Sequence, residues 1–195
     1  MDEKTATRDR ILQAASERIK HYGYAKTTMA EIAADTGMSP GNIYRFFEAK
    51  IDIAEAMARR HYEAENNRLG AIARDKSLSV KDRLYKLYHT RMRDSVKHAQ
   101  ENAKIVDIAD VLYRERPTFA AEQQALERIF LTSIIEEGIA GGVFAPGDAT
   151  ALAETMQLAM VRFTSPQIFL KSPLPKLERE LEGVIRLIIN GLRAP

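Results

Sequence analysis

The chain has 195 residues, 45% of them hydrophobic, a formal net charge of +2 and no cysteine, enough for one sizeable core or two smaller ones and excluding disulfides and cysteine-based metal or redox chemistry. No apolar run approaches the roughly 20 residues needed to span a bilayer, and the opening MDEKTATRDR is charged where a secretory signal would be apolar, so a reducing cytoplasm is the expected setting and no membrane is an expected partner. Within residues 1–50 eight Lys and Arg face seven Asp and Glu, so binding to a polyanion would rest on a few well-placed groups and on duplication by a dimer.

Apolar residues recur at three- and four-residue spacing and no convincing run alternates with period two, which predicts an all-α fold. Ile11, Leu12, Ala15 and Ile19 form the inner stripe of a first helix, and Gly23 is a suitable stop. Thr28 and Glu31 then match a capping box that opens a second helix. Met29, Ile32 and Ala33 give that helix one apolar side, and Gly37 supplies the left-handed residue that ends it.

Ser39 is placed to cap a third helix with Pro40 at its first position, and Met38 and Ile43 fit a hydrophobic staple. Two short helices joined by a tight Gly-containing turn make a helix-turn-helix. On the third helix Ile43 and Phe47 share an inward seam, Tyr44 and Phe46 flank it, and Gly41, Asn42 and Arg45 point away. Gly41 costs a helix about 1 kcal/mol relative to Ala unless something must approach the backbone closely, as a phosphodiester chain or a base edge does. Arg45 and Asn42 suit guanine and adenine edges, and the Tyr44 hydroxyl suits a phosphate. Lys50 opens a fourth helix, where the macrodipole disfavours a cation, so an anion such as phosphate is expected beside it.

A long amphipathic segment follows through Ile53, Ala56, Met57 and Tyr62 toward Ala73, then a polar break at 75–79. The next helix carries Leu84, Leu87, Tyr88, Met92 and Val96, and a shorter one carries Ile105, Ile108, Ala109 and Leu112 before Pro117. The segment from Phe119 to Ala140 holds Leu126, Ile129, Phe130, Ile134 and Ile135 and breaks at Gly141 and Gly142. Asp148 caps a helix with Leu152, Met156, Leu158, Met160 and Phe163 that runs to an interruption at Ser165 and Pro166. A last helix starts near Pro175, with apolar residues at 177, 181, 184, 185, 188, 189 and 192. The expected division is a helix-turn-helix head, 1–50, and a helical body, 51–195.

The stretch TTMAEIAADTGMSPGNIYRFFEAK, preceded by RILQAASERIKHYGY, resembles the tetracycline-repressor (TetR) family of bacterial transcription regulators. The likeness is strong over the first quarter and extends afterwards to helix order and the Gly-Gly-Val-Phe turn at 141–144. It implies that Thr28, Tyr44 and Lys50 contact phosphates of a double-stranded operator, while Ser39, Pro40, Gly41, Asn42 and Arg45 face the bases. Phe46 stands where His or Tyr is frequent, replacing a polar backbone contact with van der Waals contact to sugar or a thymine methyl. Ala49 occupies a position usually held by a capping Ser or Asn, which should weaken the fourth helix cap by about 1 kcal/mol. Ile51 replaces a usual acid.

The resemblance also implies an effector pocket in the body, for a small and partly apolar molecule of unknown identity. Tyr85, Tyr88, His89, Met92, Ser95, Phe130, Ile134, Met156, Met160 and Phe163 are its candidate lining, though each also suits plain core. A homodimer is expected, through an apolar face on the last two helices. Leu152, Met156, Ala159 and Phe163 lie on one of them and Leu177, Leu181, Val184, Ile188 and Leu192 on the other, in a four-helix interface that the resemblance implies.

His21, His61, His89 and His98 make no metal-binding pair, no phosphate-binding Gly loop is present, and no Gly-x-Ser-x-Gly element marks a nucleophile, so no cofactor and no catalysis are expected. The expectation is a regulator that leaves a palindromic operator when an effector binds. A helical scaffold that recruits another protein is the alternative, and sequence-dependent DNA binding separates the two.

Overall fold

The computed structural model describes residues 2–101, 103–165, 168 and 172–193, with the side chains of 103, 105 and 106 excepted. The side chain of Ile105 and the whole of Pro166 thus lie outside the described residues. Among those described, the chain forms nine α-helices and no strand, with one isolated antiparallel bridge between Phe144 and Arg193. The helices are α1 Glu3–Tyr22, α2 Met29–Asp35, α3 Pro40–Ile43, α4 Lys50–Arg74, α5 Val80–Glu101, α6 Ala103–Glu115, α7 Pro117–Ala140, α8 Ala149–Thr164 and α9 Leu174–Gly191. No described helix is long and apolar enough to cross a membrane.

Local chemistry sets most of these boundaries. The Asp2 carboxylate accepts from the Thr5 N–H at 2.6 Å and starts α1, and the Gly23 N–H closes it on the Ile19 carbonyl at 2.8 Å. Thr28 and Glu31 form both halves of the expected capping box. At the end of α2, Gly37 has φ +69, Met38 N–H reaches the Ala33 carbonyl at 2.8 Å, and Gly37 N–H reaches the Ala34 carbonyl at 3.0 Å. That pair of bonds is a Schellman motif. The same device ends α7, with Gly142 at φ +67 and Val143 N–H on the Gly138 carbonyl at 2.8 Å. Asp148 caps α8 through the N–H groups of Thr150 and Ala151.

One expected cap needs correction, and one expected weakness is partly offset. Ser39 sits at the start of α3, but its hydroxyl makes no capping bond; Pro40 has no N–H to satisfy, and the turn is held by the Asn42 N–H on the Ser39 carbonyl at 2.9 Å. Ala49 has no side-chain oxygen to cap α4, yet its own N–H is taken by the Asp52 carboxylate at 2.8 Å, the reciprocal half of a capping box.

The chain packs as two compact units. The first comprises residues 1–63 and 101–121, so it holds α1 to α3, the start of α4, α6 and the first residues of α7. Its core brings Ile11, Leu12 and Ala15 of α1 against Met29, Ile32 and Ala33 of α2, Ile43 and Phe47 of the α3 region, and Ile53 of α4. A second group joins Ile19, Ile51 and Ala54 to Ile108, Leu112 and Phe119.

The second unit comprises residues 64–100 and 122–195. Its buried residues include Leu69, Leu84, Leu87, Tyr88, Met92, Leu131, Ile134, Ile135, Met156, Met160, Phe163, Leu177, Leu181, Ile185 and Ile189. Gly138 is required by packing, since a Cβ there would fall 2.1 Å from the Phe144 ring. On α7, Leu126 and Ile129 are exposed although they share the apolar pattern with Ile134 and Ile135.

Candidate nucleic-acid interface

The α3 region is short because Ile43 and Phe47 must be buried four residues apart while the chain turns at once toward α4. Only Pro40–Ile43 is α-helical, and residues 44–46 continue as turns, with the Phe46 and Phe47 N–H groups both on the Ile43 carbonyl at 3.0 and 3.1 Å. Burying Ile43 and Phe47 leaves the opposite flank outward. Ser39, Pro40, Gly41, Tyr44 and Arg45 are exposed, Tyr44 to 53%, and Asn42 and Phe46 are half-buried. A Cβ added to Gly41 meets nothing within 4 Å, so nothing inside the fold requires glycine there.

The flank is held rigidly from behind. The Arg8 guanidinium of α1 donates to the Phe46 carbonyl at 2.6 Å and lies 4.1 Å from the centre of the Phe47 ring. Arg18, also on α1, grips Asp35 with two bonds of 2.6 and 2.9 Å and reaches Glu31 at 3.1 Å, which fixes α1 against both ends of α2. These contacts pull the Asp35 carboxyl below its ordinary range; that of Glu31 is lowered chiefly by the Thr28 hydroxyl and N–H.

Ser39, Asn42, Arg45 and Phe46 line an open groove whose other wall is the beginning of α1, with Asp2, Glu3, Lys4, Thr7 and Arg10. Lys4 and Arg10 are exposed beside Arg45's groove, so three cations and two acids border it. Sequence reasoning missed Lys4, Arg8 and Arg10, because a charged helix start reads as a solvated face until the fold places it next to α3. Thr28 is exposed, but its hydroxyl is engaged with Glu31 at 2.8 Å.

Lys50 departs from expectation. Its ammonium donates to the carbonyls of Tyr24 and Thr27 at 2.8 and 2.7 Å and lies 4.2 Å from the Tyr24 ring centre. The two carbonyls and the ring supply the negative potential that the helix start denies it, so the reason for expecting an anion there falls away. Burial lowers the Lys50 ammonium from its ordinary value, with the Glu115 and Glu31 carboxylates opposing.

A second fixed point lies at the corner between α6 and α7. Arg116 donates to Asp52 at 2.7 Å and to Glu55 at 3.2 Å on the first turns of α4. Asp52 therefore joins Arg116 through one oxygen to the Ala49 N–H through the other, directly after the α3 region.

In the second unit, Tyr88, Met92, Ile134, Met156, Met160 and Phe163 are buried, and Tyr85, His89, Ser95 and Phe130 are half-buried. Burial raises the Tyr88 hydroxyl well above its ordinary range, and that oxygen has no hydrogen-bond partner among the described residues.

Of the residues expected at a subunit interface, Ala159 is exposed and Leu152, Val184, Ile188 and Leu192 are half-buried. Leu177 and Leu181 are wholly buried within their own unit, as Met156 and Phe163 nearly are, and have no side-chain surface to offer a partner. Exposed instead are Leu158, at 75%, Leu187, at 73%, and Val161. Leu158 was visible in the apolar pattern of α8; Leu187 sits between two inward stripes of α9 and gave no separate signal.

Comparison with known proteins bears on the whole chain. Residues 11–57 match the family model described as bacterial regulatory proteins, tetR family, and residues 80–185 match the tetracyclin repressor-like C-terminal domain. The HTH-type transcriptional regulator YhgD of Bacillus subtilis is 26% identical over 198 residues, covering 94% of this chain and 95% of that one. A TetR-family regulator from Mesorhizobium loti superposes with a TM-score of 0.78 at 16% identity, over 100% of both chains. FadR of Thermus thermophilus, a TetR-family repressor in complex with lauroyl-CoA, superposes with a TM-score of 0.70 at 17% identity, over 96% of each.

Proposed function

The chain belongs to the tetR family of bacterial regulatory proteins and is a DNA-binding transcriptional regulator, and on that premise we propose that it acts as a homodimeric repressor released from a palindromic operator by a small-molecule effector. The observation that carries this reading is the outward flank of the α3 region, with Gly41 in open space, opposite a fully buried Ile43. A flank of that kind can enter a major groove with its backbone close to the duplex. Asn42 and Arg45 then read base edges, Ser39, Pro40 and Gly41 lie against the bases, and Thr28 and Tyr44 take phosphates. Phe46 packs on sugar or a thymine methyl from its half-buried position. Lys50 acts from behind, by holding the loop that leads into α2.

Dimerisation is supported by the uncovered apolar surface of α8 and α9, where Leu158, Val161 and Leu187 adjoin Leu152, Ala159, Val184, Ile188 and Leu192. A pair of heads spaced by one helical turn, about 34 to 36 Å, fits two half-sites. The second unit is the effector-binding and dimerising body. A relative of the same fold, the Thermus thermophilus FadR, holds lauroyl-CoA, which supports a small organic effector here too.

Release follows if the effector binds one arrangement of the heads better than the other, and DNA affinity then drops by that difference. Arg116 offers the mechanical link inside the first unit, because a shift at the α6–α7 corner pulls on Asp52 and thereby on the turn after α3.

Selection of genomic fragments by purified protein tests the reading. It should return a two-fold symmetric site bound at least about 1,000 times more tightly than random duplex. Equal affinity for all fragments would leave the helical scaffold as the better account.

A further inference from the structure

We propose that the body takes a cationic amphiphile, a ligand with an ammonium-type head and an apolar tail, at a buried acidic site between Glu65 and Glu127; this rests on the body being the effector domain. Glu65 of α4 and Glu127 of α7 are both buried, at 4% and 5% exposure. Between them stands Arg91 of α5, with nitrogen to oxygen distances of 3.5 Å to Glu65 and 3.4 Å to Glu127. One guanidinium thus faces two carboxylates.

The surrounding charges do not correct the imbalance. Near Glu65, Arg68 is engaged with Asp94 at 2.8 Å. Near Glu127, the Gln157 amide is neutral and lies 3.4 Å away, and Arg128 is engaged with the Gln157 oxygen and Glu154. Among the described residues the cluster therefore holds two carboxyls for one guanidinium, and ionisation of both would leave one buried charge unbalanced, which is costly. Burial accordingly raises both carboxyls above their ordinary range, against the pull of Arg91.

An independent feature points to a ligand rather than to a proton alone. The Tyr88 hydroxyl, one turn before Arg91 on α5 and 1% exposed, is within the electrostatic reach of Glu127 and Arg91 yet has no hydrogen-bond partner among the described residues. A buried hydroxyl left without a partner is unfavourable and is expected to find one. An ammonium group can compensate the extra carboxylate and leave a polar neighbour for Tyr88, while Met92, Ile134, Met156 and Met160 of the same unit suit an apolar tail. An anionic head would meet the two carboxyls instead.

Decylammonium, decanol and decanoate share one tail and differ in head charge, so calorimetric titration of the full-length protein with each isolates the head. Decylammonium should bind about tenfold more tightly than decanol, with decanoate weakest. Glu65→Gln and Glu127→Gln should each shrink the ammonium preference by about tenfold while melting no lower than the parent, since one carboxylate per guanidinium remains. Equal binding of all three, or a preference unchanged in both variants, would overturn the assigned head while leaving the effector reading in place. Failure of every one of them to bind would overturn the amphiphile and its assigned site, while the effector reading is tested separately by release from the operator.

Discussion

The Lys50 ammonium donates to the Thr27 carbonyl at 2.7 Å, across 23 residues of sequence, and so ties the start of α4 to the residue before the α2 cap. A lysine used in this way stabilises the head whether or not DNA is present. Lys50→Ala should therefore lower the melting temperature in the absence of DNA, by the equivalent of about 1 to 2 kcal/mol for lost charge-assisted bonds. It should leave the salt slope of DNA binding unchanged, whereas loss of a phosphate contact lowers that slope by about 1 and leaves the free protein's melting untouched.

Gly41 allows stability and binding to be separated at one atom. The added methyl of Gly41→Ala meets no neighbour, so the free protein should become more stable, by up to about 1 kcal/mol from helix propensity. Specific DNA binding should fall, because the backbone can no longer approach the duplex as closely. Arg45→Ala should cost about 1 to 3 kcal/mol at one base pair and relax preference there. Thermal melts beside competition binding on specific and random duplexes read both effects, and an unchanged affinity in Gly41→Ala would remove α3 from the groove.

The contrast between those two residues also marks what the chain's letters disclose. Caps and turns were legible because their chemistry closes within about five residues: Thr28 with Glu31, Gly37 with Ala34, Met38 with Ala33, Asp148 with Thr150. The outward flank of α3 followed from Ile43 and Phe47 by periodicity alone. The partners of Lys50 within the fold, Tyr24 and Thr27, were not legible because they lie more than 20 residues upstream and use backbone carbonyls, which every residue has. Glu65, Arg91 and Glu127 were invisible for the same reason, being gathered from three helices by packing. Leu126 and Ile129 show the limit of periodicity, since an apolar pattern wider than one face does not say which part the fold covers.

On α9 that ambiguity becomes a measurable difference. Leu187→Glu, on the exposed side, should leave the melting temperature of the protomer nearly unchanged and shift sedimentation from dimer to monomer. Leu177→Ala removes a fully buried side chain and should cost about 2 to 5 kcal/mol of stability wherever the subunit boundary lies. A dimer that persists in Leu187→Glu and in Leu158→Glu would place the interface elsewhere.

Glu137 governs part of the acid response. Hydrogen bonds from Arg83, at 2.6 Å, and from Lys76 hold its carboxyl down to about 2 from an ordinary 4.5. A folded value below the unfolded one means stability that is fully present above the unfolded value and is lost as pH falls from about 4.5 toward about 2. Glu137→Gln should melt lower than the parent at pH 7, and the gap should close over that acid range. Because the carboxylate is partly exposed, the effect should be about 1 to 2 kcal/mol, well short of the full shift. Arg83, which also closes the end of α4 through the Ala73 carbonyl at 2.8 Å, is 3% exposed and would be left with one partner fewer.

The most direct measurement is guanine-N7 methylation interference on the highest-affinity genomic fragment, which reports contact with the major groove base by base. Two symmetric patches of interference, centred one helical turn apart or a whole multiple of about 10 to 10.5 base pairs, are the expected result. They should weaken together in Arg45→Ala. A single patch, or binding insensitive to major-groove methylation throughout, would contradict paired insertion of the α3 flank.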